Sequence, residues 1–317
     1  MHDFFKYILF RYWHGISQRN KKKKFQDFVK FLKKNKLSKL EFPIDYFSKK
    51  ENHKIDFYFK LLKKSKVHPI IDLEDLDKEI IRNLVKLNKF FNYEIIRIKM
   101  SNFFGGNRYL VKNFKKIQKN FIKKLKESVK LIENSKLKFA IENHQDLNSR
   151  ELIEIIKKTS RKKVGINWDI ANSLATIETP DEFFQNAKKF IINVHSKDYK
   201  IIMSNNGFFL KRCIIGEGVV DFKKYIKYFK KNKINFSIEL GAQISRHCNF
   251  RNKEFIKSHN LSKSKIKKFD IYLKSKSINE NPFTEWELYK NVKKSYKSEI
   301  NDVKKSIRYI KDLYDKQ

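Results

Sequence analysis

Short apolar segments alternate with lysine-rich segments of helical periodicity along most of the chain. The apolar segments are YILFRYW at 7–13, KLEFPI at 39–44, VHPIIDL at 67–73, EIIRIKMS at 94–101, KLKFAIE at 136–142, VGINWDI at 164–170, FIINVHS at 190–196 and INFSIEL at 234–240. Each has the length and composition of a strand, and each is followed by a helix candidate. Eight such units in succession predict an α/β fold, a (β/α)8 TIM barrel of parallel strands surrounded by helices.

No Pro/Gly-rich or low-complexity segment divides the chain, which has only 4 Pro and 8 Gly among 317 residues. We expect the barrel to occupy residues 1–250 and a C-terminal helical extension, residues 251–317, to pack on it. Three helix starts have a capping residue followed three positions later by glutamate: Asn148 with Glu151, Thr179 with Glu182 and Thr284 with Glu287. The last of them opens a long amphipathic segment, which is also a candidate contact for a homo-oligomer.

The net charge of +38 comes mainly from lysine, because only 11 of the 73 basic residues are arginine. The lysines are spread over nearly every predicted helix, which is typical of solvated helix faces. A stripe that binds nucleic acid is usually local and richer in arginine. We therefore expect no specific nucleic-acid partner, with non-specific attraction to polyanions as the alternative.

The N-terminal segment and the cysteines bear on location. The segment MHDFFKYILFRYWHG is interrupted by Lys6 and Arg11 and has no long apolar run, so we interpret it as the first strand and not as a signal peptide or membrane span. Cys213 and Cys248 have neither the spacing of a disulfide framework nor that of a zinc site. We expect a cytoplasmic protein without membrane association.

The last four predicted strands each end in a polar residue. In each strand the large apolar side chains occupy alternate positions, and the final polar residue belongs to the other set. Side chains of a strand alternate between its two faces, so the apolar set can face the helices while the polar ends face the barrel axis. The residues that converge there are Glu142, Asp169, His195 and Glu239.

Three carboxylates and an imidazole at one point would repel one another or be desolvated unless a cation lay among them. This end of a TIM barrel is where enzymes of the fold build their active sites. The donor set suits one divalent metal ion, Mn2+, Mg2+ or Co2+, with Zn2+ as a further candidate. For any single residue a separate salt bridge or hydrogen bond is the alternative, but it explains four successive strand ends of the same parity less well.

At these residues the sequence resembles the xylose isomerase-like TIM-barrel superfamily, which includes sugar phosphate isomerases and epimerases and apurinic endonuclease type IV. The segments that carry the resemblance are IENHQD at 141–146, NWDIANS at 167–173, VHSKDY at 194–199, IGEGVVDF at 215–222 and SIELGA at 237–242. The first half of the chain matches only in its rhythm of strands and helices. The resemblance implies that Glu142, Asp169, His195 and Glu239 bind one divalent metal and that Glu142 and Glu239 form the acid/base pair.

The predicted function is that of a metal-dependent sugar or sugar phosphate isomerase or epimerase, which transfers a proton through an enediolate. If the enediolate expelled a β-hydroxyl, the same site would give a dehydratase of a polyol ketone of the inosose or dehydroshikimate type. A non-catalytic barrel that binds a sugar or a polyanion is an alternative of another class. An abasic-site endonuclease is less favoured, because its trinuclear pattern has a histidine where this chain has Asn172.

Further residues are candidates for contact with the small-molecule sugar substrate. They are Lys197, Glu217, Asn172, His144 and Arg246. Lys197 shares the inward parity of His195, with an ion pair to Asp198 as its alternative. Glu217 lies in the sequence GEG, for which a turn is the alternative.

His144, its neighbour Asn143 and Arg246 lie just past strand ends, where hydrogen bonding within a loop is the alternative role. His14, at the end of the first predicted strand, is a weaker candidate. His68 lies at the start of its strand, so we expect it at the opposite end of the barrel from the metal site.

Overall fold

Seven parallel strands form a nearly closed barrel in the computed structural model, which describes residues 21–43, 52–241 and 243–316. The strands are β1 (Lys39–Pro43), β2 (His68–Leu73), β3 (Ile95–Lys99), β4 (Lys138–Glu142), β5 (Val164–Asp169), β6 (Ile191–Ser196) and β9 (Asn235–Ile238). They pair in the order β1-β2-β3-β4-β5-β6-β9. The predicted α/β barrel is confirmed, and the remaining predicted strand, 7–13, lies with His14 outside the described residues.

Helices surround the barrel. They are α1 (Lys21–Lys34), α2 (Asn52–Lys64), α3 (Lys78–Asn88), α4 (Phe114–Ile132), α5 (Ser149–Lys158), α6 (Pro180–Ala187), α7 (Lys223–Lys231), α8 (Lys253–Ser258), α9 (Lys263–Lys276), α10 (Glu285–Tyr289) and α11 (Val292–Asp315). The three predicted capping boxes are confirmed at the starts of α5, α6 and α10. Each cap satisfies backbone N–H groups that the helix itself leaves unpaired, which is worth about 1 kcal/mol.

Side chains of the strands alternate between two separate apolar regions. The main core lies between strands and helices, where Trp168 of β5 is fully buried and stacks on Phe183 of α6 at 5.6 Å between ring centroids. Inside the barrel a second, small cluster contains Ile70, Ile95 and Ala140, with Ile192 packed against it. The barrel axis is thus filled with small and branched side chains below the predicted site, as expected for a packed TIM barrel.

A three-stranded antiparallel sheet stands outside the barrel, and the sequence analysis missed it. Its strands are β7 (Tyr199–Ser204), β8 (Gly207–Arg212) and β10 (Arg246–Cys248), in the order β10-β8-β7. Residues 199–212 form a hairpin with a two-residue turn before Gly207. A Cβ atom on Gly207 would lie 2.0 Å from the backbone oxygen of Cys248, so only glycine allows β10 to approach this closely.

The last helix packs against the barrel and the base of the hairpin. Arg212 at the end of β8 forms ion pairs with Glu299 at 3.0 Å and Asp302 at 2.9 Å, both on α11. Val303 and Ile310 of the same helix are fully buried.

The division of the chain at residue 250 stays a prediction. Among the helices of the described residues, none combines the length and the apolar character needed to cross a membrane.

Candidate metal centre

Four side chains meet at the C-terminal end of the barrel. Glu142 ends β4, Asp169 ends β5, His195 lies on β6, and Glu239 follows β9 directly. One donor atom from each residue lies within 4.8 Å of the corresponding atoms of the other three. The parity argument therefore placed these residues correctly. Their role as metal ligands is a separate matter, which depends on the surroundings of each group.

Glu142 is fully buried and is held by a guanidinium. Arg97, on the neighbouring strand β3, donates from Nε and Nη2 to Oε2 of Glu142 and pairs through Nη1 with Asp72 on β2. Burial opposes ionisation of Glu142, but the positive charge of Arg97 outweighs it and lowers the pKa of Glu142 to about 2. The second carboxylate oxygen, Oε1, has no hydrogen-bond partner within the described residues.

Asp169 is also fully buried, and only one of its carboxylate oxygens is engaged. Oδ2 accepts hydrogen bonds from Lys197 and, at 2.5 Å, from the Asn172 side chain. The backbone of Asp169 is fixed by the Asn143 amide, through contacts of 2.7 and 2.9 Å. Burial raises the pKa of Asp169 to about 7. Oδ1 has no hydrogen-bond partner in the described part of the chain, so a cation at this oxygen would favour the ionised form.

His195 lies between two carboxylates. Its Nε2 is 2.9 Å from Glu41 Oε2, on β1, and its Nδ1 is 2.6 Å from Glu239 Oε2 and 3.9 Å from Glu142 Oε2. A carboxylate only accepts hydrogen bonds, so Nε2 donates to Glu41 and the Nδ1 side faces the other three residues. Burial lowers the pKa of His195, but the two glutamates outweigh it and raise the pKa well above its ordinary value.

Glu239 is the most accessible of the four, with its side chain 20% exposed. Its Oε1 lies 3.2 Å from the Lys197 ammonium, and its backbone N–H donates to the Ser196 carbonyl at 3.1 Å. Burial raises its pKa, but Lys197 and His195 outweigh that effect and hold it well below the ordinary value. This partly buried carboxylate is therefore held in its charged form.

The charges of the cluster fit a divalent ion. Four carboxylates, those of Glu41, Glu142, Asp169 and Glu239, contact two cationic side chains, Arg97 and Lys197. With His195 neutral, as ligation requires, two negative charges remain uncompensated, and Arg97 is moreover shared with Asp72. Buried carboxylate oxygens without partners are costly, and an ion among them would satisfy both the charge and the free lone pairs. The three oxygens and one nitrogen suit a hard or borderline divalent metal.

The additional sequence candidates separate into two groups. Lys197 lies inside the cluster, since its ammonium pairs with Asp169 and not with Asp198; the predicted alternative for Lys197 was wrong. Asp198 is buried and accepts backbone N–H groups from the 216–220 turn. Asn172 is buried and supports Asp169, so any contact with substrate stays a prediction.

Glu217 is exposed in that same turn, and the structure describes no hydrogen bond or ion pair between its side chain and the cluster. His144 and Arg246 lie at the rim of the barrel, and both contact the ring of Phe104. His68, at the start of β2, is exposed and lines a cleft of 340 Å³ at the opposite end of the barrel, as predicted.

Arg97, Glu41 and Asp72 are the residues that the sequence analysis missed. All three are charged residues inside apolar strands and are at most 2% exposed. The sequence signal was the same as for the four converging residues, because each of the three occupies an inward position of its strand. These three residues lie in the first half of the chain, where the sequence matches the family only in its alternation of strands and helices.

Comparison with known proteins agrees with the fold. A model of the family described as "Xylose isomerase-like TIM barrel" matches residues 78–254, which is more than half of the chain. Among solved structures, the probable 3-DHS dehydratase AsbF of Bacillus anthracis has a TM-score of 0.54, covering 74% of this chain and 92% of that chain at 14% identity. An L-ribulose 3-epimerase has a TM-score of 0.55, covering 93% and 90% at 12% identity. Similarities at this level of identity concern the fold alone.

Two curated proteins share shorter segments with the chain. Uncharacterized protein YihM of Escherichia coli K12 is 32% identical over 96 residues, which is 30% of this chain and 29% of that protein. The 3-oxo-isoapionate decarboxylase of Pectobacterium atrosepticum is 22% identical over 107 residues, which is 33% of this chain and 39% of that protein. The chain therefore matches about a third of the length of these curated relatives.

Proposed function

The chain belongs to the xylose isomerase-like TIM barrel family, and we propose that it is a divalent-metal-dependent isomerase or epimerase of a small sugar or sugar phosphate. The observation that carries the proposal is the convergence of Glu142, Asp169, His195 and Glu239, whose donor atoms lie within 4.8 Å of one another. Partnerless buried oxygens on Glu142 and Asp169 support a cation at that point. Epimerases among the structural neighbours are consistent with this chemistry.

The bound ion would chelate the carbonyl and hydroxyl oxygens of the sugar and stabilise the negative charge that develops when the adjacent carbon loses its proton. Glu239 is the most accessible of the four residues and carries a charge, so we assign to it the role of accepting that proton. Glu142 approaches the same point from β4, three strands away in the sheet order. Two carboxylates on different sides of one carbon, or beside neighbouring carbons, are what epimerisation or isomerisation requires.

A dehydratase is the second candidate, and Arg97 is the observation that favours it. Its guanidinium occupies Oε2 of Glu142, so only Oε1 of that residue remains for a metal or a proton. If Oε1 binds the metal, Glu239 is left as the proton-transferring carboxylate of the pair. Glu239 would remove the proton from the α-carbon and return it to the departing β-hydroxyl, which leaves as water, so one carboxylate completes the dehydration without a proton donor on the other face.

Exchange of carbon-bound hydrogen in D2O tests the proposal. The metal-loaded protein should incorporate deuterium next to the carbonyl of one of a panel of ketoses, and Glu239→Gln should lower that rate at least about 1000-fold while the fold is retained. Glu254→Gln, on the exposed face of α8, is the matched control and should leave the rate unchanged. Sugar binding without exchange, unaffected by Glu239→Gln, would instead indicate a non-catalytic barrel.

A further inference from the structure

Three side chains from different parts of the chain meet at the C-terminal rim of the barrel. Phe104 lies in the loop after β3, His144 follows the end of β4 by two residues, and Arg246 is the first residue of β10. The guanidinium carbon of Arg246 lies 3.8 Å from the centroid of the Phe104 ring. The His144 ring meets Phe104 edge-on, with 4.9 Å between centroids. We refer to these three residues as the rim cluster.

Arg246 differs from the other arginines that the fold buries in whole or in part. Arg97, Arg108 and Arg212 each form an ion pair with a carboxylate of the chain. Within the described residues, the guanidinium of Arg246 is half-buried and has no hydrogen bond or ion pair, only its stacking on the aromatic ring. The stacking fixes the plane of the guanidinium and leaves its N–H edges directed away from the ring.

A second polar group of the rim cluster also lacks a partner. His144 is 6% exposed, and its buried Nδ1 has no hydrogen-bond partner in the described part of the chain. A buried polar atom left without a hydrogen bond destabilises the fold, and a hydrogen bond to a bound ligand would remove that cost.

Hydrogen bonds connect the rim cluster to the proposed metal centre. The backbone N–H of Gly105, beside Phe104, donates to the Gln145 side chain at 2.7 Å. The Gln145 amide donates to Asn172 at 2.8 Å, and Asn172 donates to Asp169 at 2.5 Å. The rim cluster and the candidate ligands therefore lie at the same end of the barrel, and the loop that carries Phe104 is hydrogen-bonded to the residues that support Asp169.

We propose that the rim cluster binds an anionic substituent, a carboxylate or a phosphate, of the molecule whose other oxygens are held at the metal centre. The identity of that molecule as a sugar substrate rests on the proposed function, whereas the anion site itself does not. Guanidinium groups bind both anions through paired N–H···O bonds. Hydrogen bonds to charged groups are worth about 1.5–3 kcal/mol, so loss of Arg246 should weaken binding of the anionic molecule about 10- to 100-fold.

Anion binding can be measured without any enzyme activity, by 15N NMR of the arginine Nε–H groups. The chain has only 11 arginines, and Arg246→Lys assigns the signal of interest. Inorganic phosphate and acetate would be titrated separately at constant ionic strength, with the exposed Arg161 as the internal control for general attraction to the basic surface.

A saturable shift of the Arg246 signal that Arg161 does not share is the expected result. Saturation by phosphate alone would support a phosphate ester, and saturation by acetate would support a carboxylate. A response of Arg246 to both anions no larger than that of Arg161 would overturn the proposal, whatever the metal content of the protein.

Matched substrates test the same site in turnover. We expect kcat/KM for a ketose phosphate or a keto acid, relative to the neutral ketose, to fall about 10- to 100-fold in Arg246→Ala and to stay constant in Arg161→Ala. An unchanged ratio in Arg246→Ala would contradict the anion site and leave the proposed isomerase intact. Absence of exchange with every substrate would contradict the proposed function, and the NMR titration would still decide the anion site.

Discussion

Two layers of side chains inside the barrel differ in chemistry although they come from the same strands. In the lower layer, β2, β3 and β4 contribute Ile70, Ile95 and Ala140, which pack together. Two residues further along the same strands, and so on the same inward face, are Asp72, Arg97 and Glu142, which are joined by ion pairs. Along each of these strands the inward side chain of the lower layer is apolar, and the next inward side chain, two residues later, is charged.

The two layers differ in how their burial affects the stability of the fold. Burial of the lower layer is favourable in proportion to its apolar area. Burial of the upper layer is costly for each charge, and ion pairing offsets that cost only in part. A chain under selection for stability alone would continue the apolar layer upward. We therefore propose that the charged layer is the functional part of the interior, and several substitutions test this division.

Arg97→Met should have the largest effect on stability, a loss of about 3–5 kcal/mol in the free energy of unfolding, because it leaves buried carboxylates uncompensated. Urea denaturation of the metal-free protein measures it. Arg97→Met/Glu142→Gln should recover part of the loss, since the second change removes one of the stranded charges. Equal losses in the single and the double variant would mean that the guanidinium contributes packing and not charge.

Asp146 provides a buried carboxylate outside both layers, with no cationic partner in the described residues. It is fully buried, accepts a hydrogen bond from Ser101, and burial raises its pKa to about 7. Its stabilising effect is therefore present in acid and is lost as the pH rises from about 4 through 7. Asp146→Asn should be more stable than the wild type at pH 8 by up to about 4 kcal/mol.

The stability difference between Asp146→Asn and the wild type should shrink toward zero near pH 4. Urea denaturation at several pH values measures it. A difference that does not change between pH 4 and pH 8 would show that Asp146 is charged throughout and satisfied in a way that burial alone does not indicate.

Ile95→Ala, in the lower layer, should cost about 2–4 kcal/mol through lost burial and the cavity that remains. The affinity for Mn2+, measured by titration calorimetry, should stay unchanged, because the substitution leaves the charged layer in place. A large fall in the affinity for Mn2+ would show that packing in the lower layer positions the charged side chains. The two layers would then not be independent.

Glu41→Gln should have the smallest effect of the series, a 10- to 100-fold loss of metal affinity, or about 1.4–2.7 kcal/mol. Glu41 fixes the ring of His195 by accepting from Nε2 at 2.9 Å, so that Nδ1 faces Glu239 and Glu142. Glu74→Gln, at a half-exposed carboxylate paired with Lys99, is the matched control and should bind Mn2+ like the wild type. Equal Mn2+ affinity for Glu41→Gln and the wild type would rule out this positioning role.

Local patterns in the sequence were sufficient to place the barrel strands and the four converging residues. Strand alternation has a period of two, so the inward position of Glu142 or Asp169 follows from its immediate neighbours. The partners of these residues could not be predicted in the same way. Glu41 and His195 are 154 residues apart, and their contact depends on how the sheet closes.

The hairpin of β7 and β8 was missed for a different reason. Its turn at Asn205 and Asn206, followed by Gly207, has the composition of a hairpin turn, but the barrel rhythm led us to expect a helix connection or a loop there. The insertion matters for the site because β10, which pairs with β8, positions Arg246 at the rim.

The most direct test of the central claim is the metal content per chain, by elemental analysis of protein purified without chelators or metal-affinity resin. The account predicts about one Mn, Mg, Co or Zn per wild-type chain and loss of that metal in His195→Ala, with the fold preserved by circular dichroism. A folded wild-type chain that holds none of these metals, even after each is added back, would contradict it.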